Sequence, residues 1–414
     1  MNSNISINNS ENFPAKEKLW TQSFICICIG NFLLFFAFYL LLPILPLYLI
    51  EVFDTSRSMV GVVLSSYTIA ALIIRPLSGF ILDMFSRKPI YLIAYILFIL
   101  CFAGYIYASV IMLFLFMRVL HGAIFGLVTT AGNSLVVDIM PSSRRGEGLG
   151  FFGVANNLAM ATGPMLSLFL HDYYSFNVLF YIAIVCGLFG FLFASSVKHE
   201  KKVERSIKQP ISLDRFFLPK GIFAGFSLML MSIPYAMLTT YVAIYGKELG
   251  ITSSMGLFFS LMALGMISSR LFSGSLVDRG KLTWVIAVGT SICIFALFLL
   301  SSLNLFSKQV DVFYVSLLFY LVALMLGAGY GLLFPAYNTL FVNLAPNNRR
   351  ATASSTYLTT WDAGIGVGLV IGGRIADTSG GLSLSYLIGA ISVVLSFILF
   401  KYLGAPHYER NKLR

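Results

Sequence analysis

The stretch Arg75-Pro-Leu-Ser-Gly-Phe-Ile-Leu-Asp83 returns in the second half of the chain as Arg270-Leu-Phe-Ser-Gly-Ser-Leu-Val-Asp278. Each copy follows a related lead-in, Ser58-Met-Val-Gly61 in one and Ser253-Ser-Met-Gly256 in the other, and the spacing is kept throughout. A second echo aligns Pro141-Ser-Ser-Arg-Arg145 with Pro346-Asn-Asn-Arg-Arg350. The same offset superimposes Asn133 on Asn338 and Asn157 on Asp362. Agreement over so many positions reads as an internal duplication.

The repeated unit is a membrane unit. Hydrophobic residues make up 58% of the 414 positions and charged residues 11%, far from the balance of a water-soluble surface. A helix needs roughly 20 apolar residues to cross the hydrocarbon core, because each backbone amide there must be satisfied within the segment. Such runs fall at 22–50, 58–82, 89–109, 112–138, 149–170, 176–197, 221–246, 254–276, 283–302, 312–343, 352–373 and 383–403. The fold class is therefore an all-α membrane protein of about twelve transmembrane helices, arranged as two six-helix bundles related by pseudo-twofold symmetry.

The charge-rich interruption from Val197 to Lys220 is the natural boundary between bundles. We expect a polar N-terminal tail at 1–20, one bundle at 21–197, a linker at 198–220, a second bundle at 221–404 and a tail at 405–414. The apolar run after the polar tail is too long for a signal peptide.

A net charge of +11 raises the question of a nucleic-acid partner, and its distribution answers it. With a cytoplasmic N-terminus, Lys16, Lys18, Arg87, Lys88, Arg144, Arg145, the basic linker, Arg349 and Arg350 collect on the cytoplasmic side. Arg57, Lys247, Lys308 and Arg374 stay opposite. This positive-inside bias predicts a multi-pass protein of the cytoplasmic (inner) membrane with both termini cytoplasmic and no nucleic-acid partner. Cys26, Cys28, Cys101, Cys186 and Cys293 all fall within spans, so neither a disulfide framework nor a metal site is indicated.

The loop Gly79-Phe-Ile-Leu-Asp83-Met-Phe-Ser-Arg87-Lys88 resembles the G-x-x-x-D-[RK]-x-G-R-[RK] loop of the major facilitator superfamily, with Met84 in place of the usual base and Ser86 in place of the usual glycine. Gly274-Ser-Leu-Val-Asp278-Arg279-Gly280-Lys281 is a shorter version. The resemblance implies a fold of two parallel repeats that rock about a central site. It also implies a cytoplasmic gate in which Asp83 caps the eleventh helix and Arg87 pairs with Asp138. Arg118-Val-Leu-His121-Gly122-Ala-Ile-Phe-Gly126 resembles the family's R-x-x-x-G-x-x-x-G stretch. Gly163-Pro164 resembles the G-P element of its exporters, although Ser167 and Leu168 stand where a double glycine often follows.

The residues themselves carry the chemistry. Gly122 and Gly126, and the ladder Gly364, Gly368, Gly372, permit close helix contact. Pro164 reads either as a bend or as packing. A charge inside a span by default faces the bundle interior, which makes Asp362 and Arg118 candidates for a central charged site. Asp362 reads either as a proton-coupling carboxylate or as a fixed ion pair with Arg75 or Arg118. Arg75 and Arg270, nearer the cytoplasmic ends, are expected to snorkel. His121, one turn from Arg118, is either proton-responsive or a hydrogen-bonded core residue. Glu51 is a second proton candidate. Asn133, Asn156, Asn157, Asn338, Trp361, Tyr235 and Tyr241 are expected along a substrate pathway.

No G-x-x-x-x-G-K-[ST], HExxH or GxSxG motif is present, so we expect no enzyme and no cofactor. The expected partners are a small-molecule substrate, protons and lipid, with the chain acting as a monomer. Export of a drug-like or metabolite solute by proton antiport is the leading expectation. Proton-coupled uptake of a small metabolite or sugar is the alternative, and a non-transporting receptor or scaffold the rival of another class.

Overall fold

The computed structural model describes residues 18–141, 144–198, 217–251, 255–278, 280–307, 309–346 and 350–413. Among them run α1 (Gln22–Leu41), α2 (Ile44–Phe53), α3 (Arg57–Met84), α4 (Arg87–Tyr107), α5 (Ile111–Ile139), α6 (Arg145–His171) and α7 (Phe176–Ser195). The second half holds α8 (Ile222–Glu248), α9 (Gly256–Asp278), α10 (Leu282–Phe306), α11 (Val312–Leu344), α12 (Arg350–Ala376), α13 (Gly381–Leu399) and α14 (Ala405–Asn411).

Local chemistry sets the helix ends. Thr21 accepts a hydrogen bond from the Phe24 N–H at 3.2 Å, Ser56 from Met59 at 3.2 Å and Asp311 from Phe313 at 2.8 Å, each satisfying a donor that the first turn leaves open. The first apolar run, expected as one helix, breaks at Leu42-Pro43. Pro43 has no N–H to give the Tyr39 carbonyl, and its ring crowds that carbonyl. The last run continues past its expected end through a π-helical turn, Phe400–Gly404, into α14. The expected tail is thus helical and docked, with the Leu413 N–H donating to the Asn343 carbonyl at 2.9 Å and Asn343 Nδ2 to the Tyr408 hydroxyl at 3.1 Å.

Counting α1 with α2 as one crossing, α3 to α13 complete twelve. Their contacts repeat. Within the first half α3 packs on α5, α1 on α6 and α7, and α4 on α5 and α7. Within the second, α9 packs on α11, α8 on α12 and α13, and α10 on α11 and α13, which is the same scheme displaced by one half. The halves meet along two seams, α3 on α12 and α6 on α9.

Composition follows position in this scheme. The peripheral helices α4, α7, α10 and α13 present exposed apolar faces, such as Ile93, Leu97 and Leu100 or Ile391, Leu395 and Ile398. A water-soluble protein does not leave such surface uncovered, and it is of the kind that lipid solvates. Nine helices among the described residues are apolar and long enough to cross a membrane on those grounds alone. Of the remaining crossings, all seam helices, α9 is apolar from Gly256 to Arg270, and α6 and α12 carry the glycine, serine, asparagine and aspartate that lower their hydropathy.

Candidate functional site

Asp362 lies midway along α12. Gly364, Gly368 and Gly372 press α12 against α8: a Cβ on Gly368 would overlap the Ile233 carbonyl, and one on Gly372 would come within 2.8 Å of the Met237 side chain. Residues two apart on a helix face opposite sides, so seating the glycines on α8 turns Asp362 toward α3. There Arg75 Nη1 stands 2.5 Å from Asp362 Oδ2, the two side chains 15% and 19% exposed. Arg75 therefore does not snorkel as expected. A carboxylate across the seam is a nearer counter-charge than the interface, and pairing removes most of the penalty of two isolated charges.

A narrow cleft of about 20 Å³ is walled by Tyr39 of α1, Met160 and Pro164 of α6, Tyr235 and Thr239 of α8, and Phe259, Met262 and Met266 of α9. Trp361 joins Tyr235 and Phe334 here, with ring centroids 5.0 and 4.7 Å from its own. Pro164 leaves the Met160 carbonyl without its helical donor on this wall. Gly163 fits against α1, where a Cβ would lie 2.8 Å from Tyr39 Cβ and 2.9 Å from the Leu40 nitrogen, so this pair packs α6 onto α1. Asn133 and Asn338, the repeat-related pair, are both exposed, and Asn156 keeps a buried Oδ1 without a hydrogen-bond partner. Tyr241 departs from the pathway expected of it. It is fully buried, with its hydroxyl donating to the Leu369 carbonyl at 3.2 Å and the Arg57 carbonyl at 3.4 Å, and it acts as a strut between α8, α3 and α12.

Arg118 and His121 form a separate buried group. Gly122 and Gly126 bring α5 onto the α3 backbone at Tyr67 and Ala71. Arg118, 2% exposed, lies over the Tyr67 ring at 4.3 Å and donates from Nη1 to the Tyr105 hydroxyl at 3.2 Å. That hydroxyl is 2.6 Å from His121 Nδ1. The hydroxyl thus bridges the guanidinium and the imidazole, and the direction of its bond to Nδ1 follows the histidine tautomer. Phe98 and Phe102 flank the ring at 4.3 and 5.0 Å. Tyr105 had no signal in the sequence; only the fold brings it between Arg118 and His121.

Two rings of polar contacts lie toward the ends of the helices. At one, Arg87 Nη1 donates to Asp138 Oδ1 at 2.6 Å, joining the start of α4 to the end of α5, and Lys88 follows in the first turn of α4. Gly79, Asp83, Asn157, Asp278 and Arg279 fall outside the residues whose side chains are described.

At the opposite end the halves are bolted together by residues that sequence reasoning passed over. Asp377, just beyond α12, accepts from the backbone N–H groups of Arg57 at 3.0 Å and Ser58 at 2.7 Å, capping α3. Arg57 Nη1 also donates to the Ala376 carbonyl at 3.1 Å, and Arg57 pairs with Glu248 of α8. Glu51 sits at this same end, nearly half exposed, 3.7 Å from Lys247. Burial pushes the Asp377 carboxyl up, but the hydrogen bonds from Ser58 and Arg57 and the Arg57 charge outweigh it and hold the group below the usual carboxylate range. A Cβ on Gly61 would overlap the Leu369 carbonyl, and one on Gly373 the Arg57 carbonyl, so α3 and α12 touch backbone to backbone here.

The sequence profile of the Major Facilitator Superfamily matches residues 27–368 and 306–414. The staphylopine export protein of Staphylococcus aureus is 21% identical, the match covering 83% of this chain and 87% of that one. The multi-drug resistance efflux pump PmrA of Streptococcus pneumoniae is 22% identical over 93% of this chain and 97% of its own. Among solved structures, a D-xylose-proton symporter superposes with a TM-score of 0.75 at 16% identity, covering 96% of this chain and 100% of that one, a likeness of fold. Parallel helical repeats, two seams between them, a charged pair at mid-span and a profile match along nearly the whole chain converge: this chain belongs to the major facilitator superfamily and is a multi-pass membrane transporter, not an enzyme.

Proposed function

We propose that the chain exports a small drug-like or metabolite solute by proton antiport, its two halves rocking to expose the central site to one side and then the other. The carrying observation is the Arg75–Asp362 pair, a carboxylate and its counter-charge on opposite halves at mid-span. Ionised, Asp362 holds α12 to α3. Once protonated it no longer neutralises Arg75, and the seam loosens, so one proton alters the contact that alternating access must change. Asp362 fits this role better than His121, whose protonation would place a second cation one turn from Arg118 inside a box of rings.

The aromatic wall of Tyr235, Phe334 and Trp361 suits a solute with an apolar body, and Asn133, Asn156 and Asn338 suit its polar groups. Export rather than uptake is supported by the names of the relatives, an export protein and an efflux pump. The positive-inside charge pattern supports a cytoplasmic-membrane location with both termini inside, the Arg87–Asp138 end being cytoplasmic. The working unit is the monomer, since both bundles and the pair between them lie in one chain.

The test is reconstitution in vesicles with an imposed pH gradient, following proton flux while candidate solutes are added. Wild type should show solute-dependent proton flux, with proton entry accompanying solute exit, and Asp362→Asn should lose it. Equal flux in the two proteins would remove Asp362 from the mechanism, and solute and proton moving the same way would make the chain a symporter.

A further inference from the structure

The cleft beside the α6–α9 seam is too small for a drug-sized solute and large enough for one ion. Its volume of about 20 Å³ exceeds the roughly 10–15 Å³ that a single water-sized particle needs. Three of the residues that wall it are methionines. Met160 comes from α6 in the first half, and Met262 and Met266 come from α9 in the second. Met262 and Met266 are one turn apart and share a face of α9.

The packing fixes the backbone at these positions and leaves the side chains adaptable. A Cβ on Gly327 of α11 would overlap the Met262 carbonyl, and one on Gly331 would come within 2.6 Å of the Met266 carbonyl, so α11 presses on α9 at the two methionines themselves. Both are buried and Met160 is half-buried. An unbranched thioether side chain with three rotatable bonds can turn its sulfur toward a common point. A water in this cleft would find few polar partners. Thr239 turns its hydroxyl back on its own helix, donating to the Tyr235 and Ala236 carbonyls at 3.1 and 3.2 Å. The Met160 carbonyl, freed by Pro164, offers one acceptor. Tyr39, Tyr235 and Phe259 add rings, whose faces attract cations. Among the described residues no histidine, cysteine, aspartate or glutamate lines the cleft.

We infer that this cleft is a binding site for a soft monovalent metal ion, Cu(I), held by the thioethers of Met160, Met262 and Met266. Soft thioether ligands select Cu(I), whereas Zn(II) is held by thiolate, imidazole or carboxylate and hard divalent cations by oxygen. A single charge suits a site without anionic ligands, because the rings and one carbonyl dipole offset part of its cost inside the membrane. Since the ligands come from both halves, the bound ion ties α6 to α9 along the second seam. The inference goes beyond the exporter reading and does not rest on it, because binding needs neither a gradient nor Asp362.

The experiment uses the full chain in detergent, produced with selenomethionine so that methionine ligands differ from cysteine ligands, and treated with N-ethylmaleimide to block accessible thiols. Cu(I) is supplied without oxygen against a competing chelator, and X-ray absorption at the copper edge identifies the neighbours of the bound ion. The chain should retain one Cu(I) with at least two selenium neighbours. Met160→Leu, Met262→Leu and Met266→Leu should each weaken Cu(I) binding by roughly tenfold or more. Leucine conserves volume, so the metal-free unfolding midpoint should stay close to that of wild type, which separates a lost ligand from a damaged fold. Met112→Leu, at an exposed methionine of α5, should leave binding unchanged. A copper shell without selenium, undiminished binding in all three cleft variants, or displacement of Cu(I) by equimolar Zn(II) would overturn the site. A selenium shell that the cleft variants abolish, in a chain without solute-linked proton flux, would uphold the site and overturn the exporter reading alone.

Discussion

Arg75 and Asp362, separated by most of the chain, face each other at 2.5 Å across the seam between the two halves. Because both side chains are largely withdrawn from solvent, removing one partner leaves the other as an uncompensated charge, at a cost of up to about 3–5 kcal/mol in a fully buried setting and less at this partial exposure. Asp362→Asn and Arg75→Gln should each lower the thermal unfolding midpoint in detergent. The double variant should be more stable than the sum of the two losses allows, by at least about 1 kcal/mol of coupling. Strictly additive losses would show that the pair contributes nothing as a pair.

Asp377 is also bound across the seam, but its behaviour with pH differs. Its carboxyl is held below 3.8, so the stabilisation it gives to the closed end is present above that value and disappears as pH falls through the lowered one. In an Asp362→Asn background, spin labels at exposed Tyr173, just beyond α6, and Leu305, in the last turn of α10, should report one short distance from about pH 5 to 9 and longer distances only below about pH 4. Asp377→Ala should lengthen the distance at every pH, a cap being worth about 1 kcal/mol, or roughly a fivefold shift in population. Opening of the Asp362→Asn background between about pH 5 and 7 would place a further proton switch at this end, contrary to the lowered carboxyl.

These two contacts also mark what was legible in the sequence. The spacing of apolar runs and the Arg75–Asp83 echo in Arg270–Asp278 carried the helix number and the duplication, because span length and repeated loops are local properties. The glycine ladder on α12 announced a close contact without naming its partner, which is α8. Asp362 stood out because charge is rare at mid-span. Its partner did not, since nothing local to Arg75 tells a snorkelling arginine from a paired one. Asp377 drew no reading from the sequence, because its use depends wholly on where the start of α3 comes to rest. Pro43 lay inside a run long enough to read as one helix.

The buried Arg118–Tyr105–His121 chain yields a prediction that separates structure from coupling. Tyr105→Phe deletes the hydroxyl that accepts from Arg118 and is hydrogen-bonded to His121, leaving both buried groups with a lost partner at about 1–3 kcal/mol. The unfolding midpoint should fall by several degrees. The pH profile of solute-driven proton flux should keep its midpoint, since Asp362 and not His121 is the proposed proton carrier. His121→Gln should act in the same way. A displaced pH midpoint in either variant would return His121 to the proton path.

Glycine substitutions can tell contacts within a half from contacts between halves. Gly122 lies against the Tyr67 carbonyl, and both helices belong to the first half. Gly61 lies against the Leu369 carbonyl and Gly373 against the Arg57 carbonyl, contacts that the proposed rocking of the halves would make and break. Overpacking costs about 1–3 kcal/mol wherever it is placed, but the molecule relieves it differently. At Gly122 no rigid-body motion separates α3 from α5, so Gly122→Val should lower the unfolding midpoint and leave the Tyr173–Leu305 distance unchanged. At Gly61 or Gly373 the halves can swing apart at this end, so Gly61→Val and Gly373→Val should lose little stability and lengthen that distance. Their transport should slow because the closed state is disfavoured. If Gly61→Val destabilised the fold as much as Gly122→Val without changing the distance, the α3–α12 contact would be a permanent part of the structure and not a gate.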